Sequence, residues 1–169
     1  KNVLEVPSKH LNGLPPCPYA RKAWLDNKVK VVECDDIFTC SLRHIPLIVD
    51  DEYDLVICAS YEIPDLHDME ETIDAFNLIG ARTDVFFMPF HPDYGAEEAG
   101  LDFLYETDWE SDVEQAYCMI FIQSLSKVDD ASLKLEETGY YQYLPADEYK
   151  HLVLNRRERR HGDETKSND

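Results

Sequence analysis

Short apolar runs alternate with amphipathic stretches through the first half of the chain. Three runs rich in β-branched and aromatic residues predict buried strands at Val29–Cys34, Asp54–Ala59 and Asp84–Phe90. Between them, apolar residues recur at the three- and four-residue steps of a helix. One helix is therefore predicted from Ile37, and a second over Leu66–Gly80.

Each of these two helices has a residue suited to its first or last turn. Asp36 and Asp65 precede the helices and can accept hydrogen bonds from the first backbone N–H groups. Gly80 is expected to end the second helix, because glycine adopts the left-handed conformation common at helix C-termini without strain.

The second half of the chain is predicted to be mainly helical. Ser111 and Glu114 match a capping box, and helical spacing continues to about Val128. A short helix is predicted over Asp130–Thr138, and a last one begins after Pro145. The fold class is therefore α/β, or an α+β ferredoxin-like arrangement. Three or more central strands alternate with helices, and a helical C-terminal half follows.

Length and hydropathy predict one domain. The 169 residues suffice for a hydrophobic core. We expect a single α/β domain over residues 1–160, with an irregular N-terminal segment, and a disordered tail at 161–169. No apolar run approaches the ~18–20 residues of a transmembrane helix, and Lys1–Glu5 lacks the apolar stretch of a signal peptide. We expect a soluble cytoplasmic protein without membrane contact; the oligomeric state stays open.

The net charge of −19 narrows the classes of partner. A surface this acidic repels phosphates, which makes nucleic acid an improbable partner. The same charge suits a basic protein partner, for which this chain would act as a decoy or adaptor. Alternatively, the charge serves solubility, since the acidic residues are spread along the chain.

The five cysteines fit a reducing compartment. Cys34, Cys58 and Cys118 lie within apolar segments, where a free thiol behaves as a small hydrophobic side chain, so we expect them in the core. No two cysteines have C-x-x-C spacing. A zinc site made of cysteines is therefore not expected.

Candidate chemistry lies where the predicted strands end. Ligands of open α/β sheets bind beyond the carboxyl ends of the strands. Glu62 follows the second predicted strand, and His91, Asp93 and Tyr94 follow the third. If the strands are parallel neighbours, these side chains converge at one edge; an antiparallel strand among them would prevent this.

His91 and Asp93 admit two interpretations. In the first they are metal ligands, with Glu62 as a third, or a general base and the carboxylate that orients it. A divalent metal is then the candidate cofactor. In the second they form a turn and bond only to nearby backbone.

Cys17 is the other candidate residue. It lies at the predicted start of a short helix opening at Pro18, where the helix dipole and the nearby Arg21 and Lys22 would favour a thiolate. Cys17 would then act as a nucleophile or thiolate ligand in a pocket with His91. The alternative is an unreactive cysteine.

The segment around Cys17 is similar to the active-site turn of glutaredoxin-type thioredoxin folds. The shared letters are C-P-Y at Cys17–Tyr19. Ala20 stands where those proteins carry a second cysteine, so the resemblance implies no two-thiol chemistry.

A wider resemblance covers residues 10–95. An uncharacterised bacterial domain family carries a C-P-F-A segment near its N-terminus and an F-H-P-D-Y segment after a central strand. The chain is similar in L-P-P-C-P-Y-A at Leu14–Ala20 and P-F-H-P-D-Y at Pro89–Tyr94. The resemblance names no reaction. The site residues that it implies are Cys17, His91 and Asp93.

Two functional hypotheses remain. In the first, the domain is an enzyme or binding protein whose pocket around Cys17, His91 and Asp93 takes a metal or a small-molecule ligand. The reaction, if there is one, is open. In the second, the chain is a non-catalytic acidic protein that binds a basic partner.

Overall fold

A computed structural model describes residues 18–93, 117–143 and 146–158. Within these ranges four strands form one sheet in the order β1-β2-β4-β3. β1 pairs in parallel with β2, whereas β4 is antiparallel to both of its neighbours, β2 and β3. β1, β2 and β3 therefore run in the same direction. The strands are β1 Val29–Glu33, β2 Leu55–Ser60, β3 Val85–Phe90 and β4 Cys118–Ser124.

Helices connect and cover these strands. In chain order they are α1 Pro18–Leu25, α2 Ile37–Arg43, α3 Pro46–Val49, α4 Leu66–Gly80, α5 Leu125–Glu137 and α6 Ala146–Tyr149. Short 3-10 turns span Ala81–Thr83 and Tyr140–Tyr143, and π-helical Lys150–Leu154 continues α6. No helix among the described residues is long and apolar enough to cross a membrane.

The two faces of the sheet have separate cores because alternate side chains of each strand point to opposite faces. On one face, β2 contributes Val56 and Cys58, which pack with residues of α2, α3 and α4. On the other face, Leu55 and Ile57 of β2 pack with Ala20 and other residues of α1. Because β2 is buried on both faces, its sequence is a continuous apolar run rather than an alternating one.

A buried ion pair joins the last described segment to α5. Arg156 Nε donates to Asp129 Oδ1 at 2.7 Å, and both side chains are buried. The Arg156 guanidinium also lies 5.5 Å from the centre of the Phe86 ring in β3. The C-terminal helical segment therefore packs against both α5 and the sheet.

The structure confirms the predicted α/β class, here with a mixed sheet. The three predicted strands lie within one residue of their observed bounds, and Asp36 and Asp65 cap α2 and α4 as predicted. The helical segment predicted after Pro145 is also present.

The helix predicted through Val128 is wrong, because its described part contains strand β4. The run Cys118–Ser124 pairs with a strand on each edge and is almost wholly buried. Because both of its faces are covered, its sequence lacks the alternation of apolar and polar residues by which a half-exposed strand is recognised. The following helix begins at Leu125 rather than Asp130. The proposed capping box at Ser111 and Glu114 lies outside the described residues.

The helix ends at Gly80, as predicted, but for a different reason. The φ of Gly80 is −61°, which is helical, so a left-handed glycine does not end the helix. A Cβ at this position would lie 2.6 Å from the carbonyl oxygen of Val85, so the absence of a side chain lets β3 approach the end of α4 closely.

Candidate metal centre

Three cysteine sulfurs meet on the face of the sheet that α2 covers. Cys34 follows β1, Cys40 lies on α2, and Cys58 lies in β2. Their Sγ atoms all lie within 4.8 Å of one another. We call Cys34, Cys40 and Cys58 the thiol cluster.

The turn between β1 and α2 places two of these sulfurs. Cys34 N donates to Ala59 O at 2.8 Å, which extends the pairing of β1 with β2 by one residue. Asp36 then starts α2: its Oδ1 accepts from the backbone N–H groups of Phe38 and Thr39 at 3.0 and 3.2 Å. A hydrogen bond from the Thr39 hydroxyl, together with these two backbone bonds, lowers the pKa of Asp36. With the chain reversed this tightly, the helix carries Cys40 back over β2.

The structure shows the thiol cluster in an oxidised state. Cys34 and Cys40 form a disulfide whose Cα atoms are 6.1 Å apart, and Cys58 is a buried free thiol. Burial raises the pKa of Cys58, partly offset by a hydrogen bond to the Ser41 side chain. Reduction of the disulfide would leave three thiols in the same place.

The three sulfurs must rearrange before they can hold one metal ion. Tetrahedral Zn²⁺ with Zn–S bonds of ~2.3 Å holds its sulfurs about 3.8 Å apart. In this structure the Cys34 and Cys40 sulfurs are bonded to each other, and Cys58 Sγ lies within 4.8 Å of both. Reduction of the disulfide frees the two sulfurs to move apart, and side-chain rotations can then bring all three to ligand spacing.

His44 lies beside the thiol cluster. It follows Cys40 by one helical turn and is half-buried. Its Nδ1 is 3.9 Å from Cys40 Sγ and 2.8 Å from the Cys40 carbonyl oxygen, to which it can donate.

The predicted residues at the strand ends lie elsewhere along the same sheet. His91 is buried: its Nε2 lies 2.9 Å from Pro64 O, and its Nδ1 accepts from Asp93 N at 3.1 Å. The Asp93 carboxylate is 3.7 Å from Nδ1. Both ring nitrogens therefore bond to main-chain groups, one of them on the loop after β2.

The expected convergence of strand ends is met in part. β1 and β2 are parallel neighbours, but antiparallel β4 lies between β2 and β3. Cys118, the first residue of β4, fills that position and directs its Sγ toward the carbonyl oxygens of Ser60 and Glu62 at 3.7 and 3.6 Å. The roles assigned to His91, Asp93 and Glu62 stay predictions.

Two other members of the predicted pocket, Cys17 and Tyr94, lie outside the described residues, so their roles also remain predictions.

The structure confirms the predicted burial of three cysteines, but it also brings cysteines together and joins two of them in a disulfide, which the sequence did not predict. Cys34, Cys58 and Cys118 are buried, as predicted. The cysteines nevertheless form a cluster, and two of them form a disulfide rather than free thiols. One feature of the sequence could have indicated the cluster: Cys34 and Cys40 lie on either side of the Asp36 helix cap, and Cys58 lies in the next predicted strand.

Comparisons with known proteins give no match: no family model, no curated protein and no solved structure is significantly similar to this chain. The resemblance of residues 10–95 to an uncharacterised bacterial family, and that of the C-P-Y segment to glutaredoxins, stay predictions.

Proposed function

We propose that the reduced protein binds a thiophilic metal ion through Cys34, Cys40 and Cys58. The observation that carries the proposal is the mutual approach of the three sulfurs to within 4.8 Å, from the end of β1, from α2 and from β2, within a packed core. Thiolates are the ligands that Zn²⁺ and Cu⁺ prefer, and rigid placement lowers the entropic cost of gathering them.

The disulfide makes metal binding conditional on reduction. A dithiol reductant transfers two electrons and two protons to the Cys34–Cys40 bond, which gives two thiols and leaves the reductant as a disulfide. The metal then replaces the thiol protons of the cluster. The oxidised state keeps only Cys58 as a free thiol of the cluster and is the metal-free form.

The test is a metal titration of the reduced protein under anaerobic conditions. We expect one Zn²⁺ per chain, measured by competition with a chromophoric chelator, and sulfur-to-cobalt charge-transfer bands when Co²⁺ is used instead. Cys58→Ser should weaken binding by more than about tenfold, because it removes one ligand. Protein left in the disulfide form should bind far less metal.

Cys118→Ser is the matched control, because Cys118 is an equally buried free cysteine outside the cluster. It should leave metal affinity unchanged. Binding that is insensitive to Cys58→Ser, or absent from the reduced wild-type protein, would contradict the proposal.

A second candidate function is ligand binding at the strand ends around His91 and Asp93, with Cys17 and Glu62 as its other predicted members. The burial of the His91 ring and the presence of the Asp93 carboxylate 3.7 Å from Nδ1 support it, although an acid–base pair would require this distance to shorten to that of a hydrogen bond. If His91→Ala abolishes metal binding and Cys58→Ser does not, the metal site is this one.

A further inference from the structure

We propose that His44 is the fourth ligand of the thiol cluster, which makes it a tetrahedral Cys₃His site selective for Zn²⁺. This inference rests on the proposed function, because it assigns a ligand to the same metal. It also names the metal: three thiolates alone suit Cu⁺, whereas three thiolates and an imidazole form a common structural zinc site.

The helix places His44 next to the sulfurs. Residues four apart lie on the same side of a helix, so the end of α2 brings His44 over Cys40. The distance from Nδ1 to Cys40 Sγ is 3.9 Å. In a tetrahedral zinc site with Zn–S of ~2.3 Å and Zn–N of ~2.0–2.1 Å, the sulfur and nitrogen are about 3.6 Å apart. The observed pair is thus close to ligand spacing before any metal is present.

Ligation by Nδ1 exchanges hydrogen bonds at the ring. Nδ1 lies 2.8 Å from the Cys40 carbonyl oxygen, so the neutral ring carries its proton on Nδ1 in this structure. Ligation by Nδ1 requires the other neutral tautomer, with the proton on Nε2, and gives up the bond to the carbonyl. Because the side chain is only half-buried, Nε2–H can then donate to water. The backbone N–H of His44 donates to Ser41 O and Leu42 O, so the Cys40 carbonyl then also turns to water as its partner.

Other described residues do not offer a comparable fourth ligand. The compact group of potential ligand atoms found among them contains the three cysteines alone, and His44 adjoins this group through Cys40, so its ring must turn to share a metal with the other two sulfurs. Cys118 bonds to carbonyl oxygens, and His91 bonds to Pro64 and Asp93. His44 is the imidazole in contact with a sulfur of the cluster.

A closed set of four protein ligands has a chemical consequence. Catalytic zinc sites keep one position open for water or substrate, whereas sites with four protein ligands are structural or storage sites. The zinc would therefore hold α2 against β1 and β2 in the reduced protein, as the Cys34–Cys40 disulfide does in the oxidised one.

The test combines X-ray absorption of the zinc-loaded, reduced protein with affinity measurements. We expect three sulfurs and one imidazole nitrogen around zinc in the wild-type protein. His44→Ala should replace the nitrogen by a water oxygen and lower Zn²⁺ affinity by at least about tenfold. His44→Cys should restore tight binding with four sulfurs, which a merely structural role of His44 would not produce.

His67→Ala is the control, because His67 is an exposed histidine on α4. It should change neither the coordination nor the affinity. A wild-type spectrum without imidazole scattering, or equal affinities for wild type and His44→Ala, would overturn the role of His44 while leaving the three-thiol site intact. If the reduced wild-type protein binds no zinc, the proposed function fails, and the role of His44 fails with it.

Discussion

Two free cysteines, Cys58 and Cys118, are buried on the same face of the sheet, and burial raises the pKa of both thiols. Their surroundings differ. The Cys118 sulfur faces carbonyl oxygens, which accept a thiol proton but do not bind soft metals alongside it. Cys58 faces the sulfurs that the β1–α2 turn supplies. The neighbouring ligands, rather than burial or acidity, therefore distinguish a core thiol from a candidate metal ligand.

Asn77 is a second residue whose role depends on its partners. Its side-chain amide donates to Phe87 O at 2.9 Å and accepts from Phe87 N at 2.8 Å, all in a buried setting. Asn77→Ala leaves both main-chain groups of Phe87 without this partner. We expect a loss of roughly 2–4 kcal/mol in the free energy of unfolding, measured by urea denaturation.

Leu78→Ala is the neighbouring control for this prediction. Leu78 is 70% exposed, so its truncation should change the free energy of unfolding by less than about 0.5 kcal/mol. A loss below about 1 kcal/mol for Asn77→Ala would show that water or rearrangement satisfies the Phe87 groups.

At the scale of elements, α2 and α4 begin in the same way but differ in what they carry. Asp36 caps α2, and Asp65 caps α4 with bonds to the N–H groups of His67 and Asp68. Replacing either aspartate by alanine should cost about 1 kcal/mol of stability. Only α2 carries a cysteine of the thiol cluster. Asp36→Ala should therefore also weaken Zn²⁺ binding by the reduced protein. If the whole loss of about 1 kcal/mol reduces the free energy of metal binding, the affinity falls by about fivefold.

The pair of variants separates a local effect from a general one. Thermal denaturation should rank Asp36→Ala and Asp65→Ala alike, whereas zinc titration should distinguish them. Equal zinc affinities for the two variants would mean that the β1–α2 turn and the position of Cys40 on α2 do not depend on the Asp36 cap.

The elements that the sequence predicted correctly are those whose signals are local. β1, β2 and β3 are bounded by polar residues, and α2 and α4 have aspartate caps and an apolar face. β4 was missed because its burial comes from pairing with distant strands on both edges, and a continuous apolar run fits a helix as well as a buried strand. The position of β4 between β2 and β3 was likewise not encoded in any neighbouring residues.

The candidate site was missed for the same reason. Cys34 follows β1 and Cys58 lies in β2, and these parallel strands pair only in the folded sheet, so the spacing of the two cysteines along the chain carries no metal-site motif. Sequence reasoning identified both as core residues, which is correct, and stopped there. His91 was chosen because a strand precedes it; the fold instead bonds its ring to the main chain of the loop after β2.

At the scale of the whole molecule, the net charge of −19 makes the protein strongly negative, and carboxylates lie next to the thiol cluster. Glu33, Asp35 and Asp36 are exposed residues of the β1–α2 segment that carries Cys34. A field of this sign raises the local concentration of cations and the rate at which they arrive. The charge that disfavours nucleic acid is thus suited to attracting a divalent metal.

The field predicts a salt dependence for metal binding. Raising ionic strength from about 0.01 M to 1 M shortens the screening length from about 30 Å to 3 Å. The association rate constant of Zn²⁺ with the reduced protein should then fall by about tenfold or more. Stopped-flow measurements in sodium nitrate would follow this change. Alkylation of the same thiols by neutral iodoacetamide is the control, and its rate should stay nearly constant. A zinc rate that is independent of salt would exclude a role for the field.

The same field would attract a basic protein partner, so salt sensitivity alone does not separate the two hypotheses. Cys58→Ser separates them, because it removes a metal ligand and leaves the net charge unchanged.

Binding to a basic partner should survive this substitution and also the Cys34–Cys40 disulfide, since both leave the carboxylates in place. Metal binding should be much weaker in both cases. If a cationic protein such as cytochrome c binds wild type and Cys58→Ser equally while zinc binding differs, the charge and the thiol cluster are separate functions of one molecule. If cytochrome c does not bind at low salt, the result counts against the hypothesis of a basic protein partner and leaves the proposed metal site unaffected.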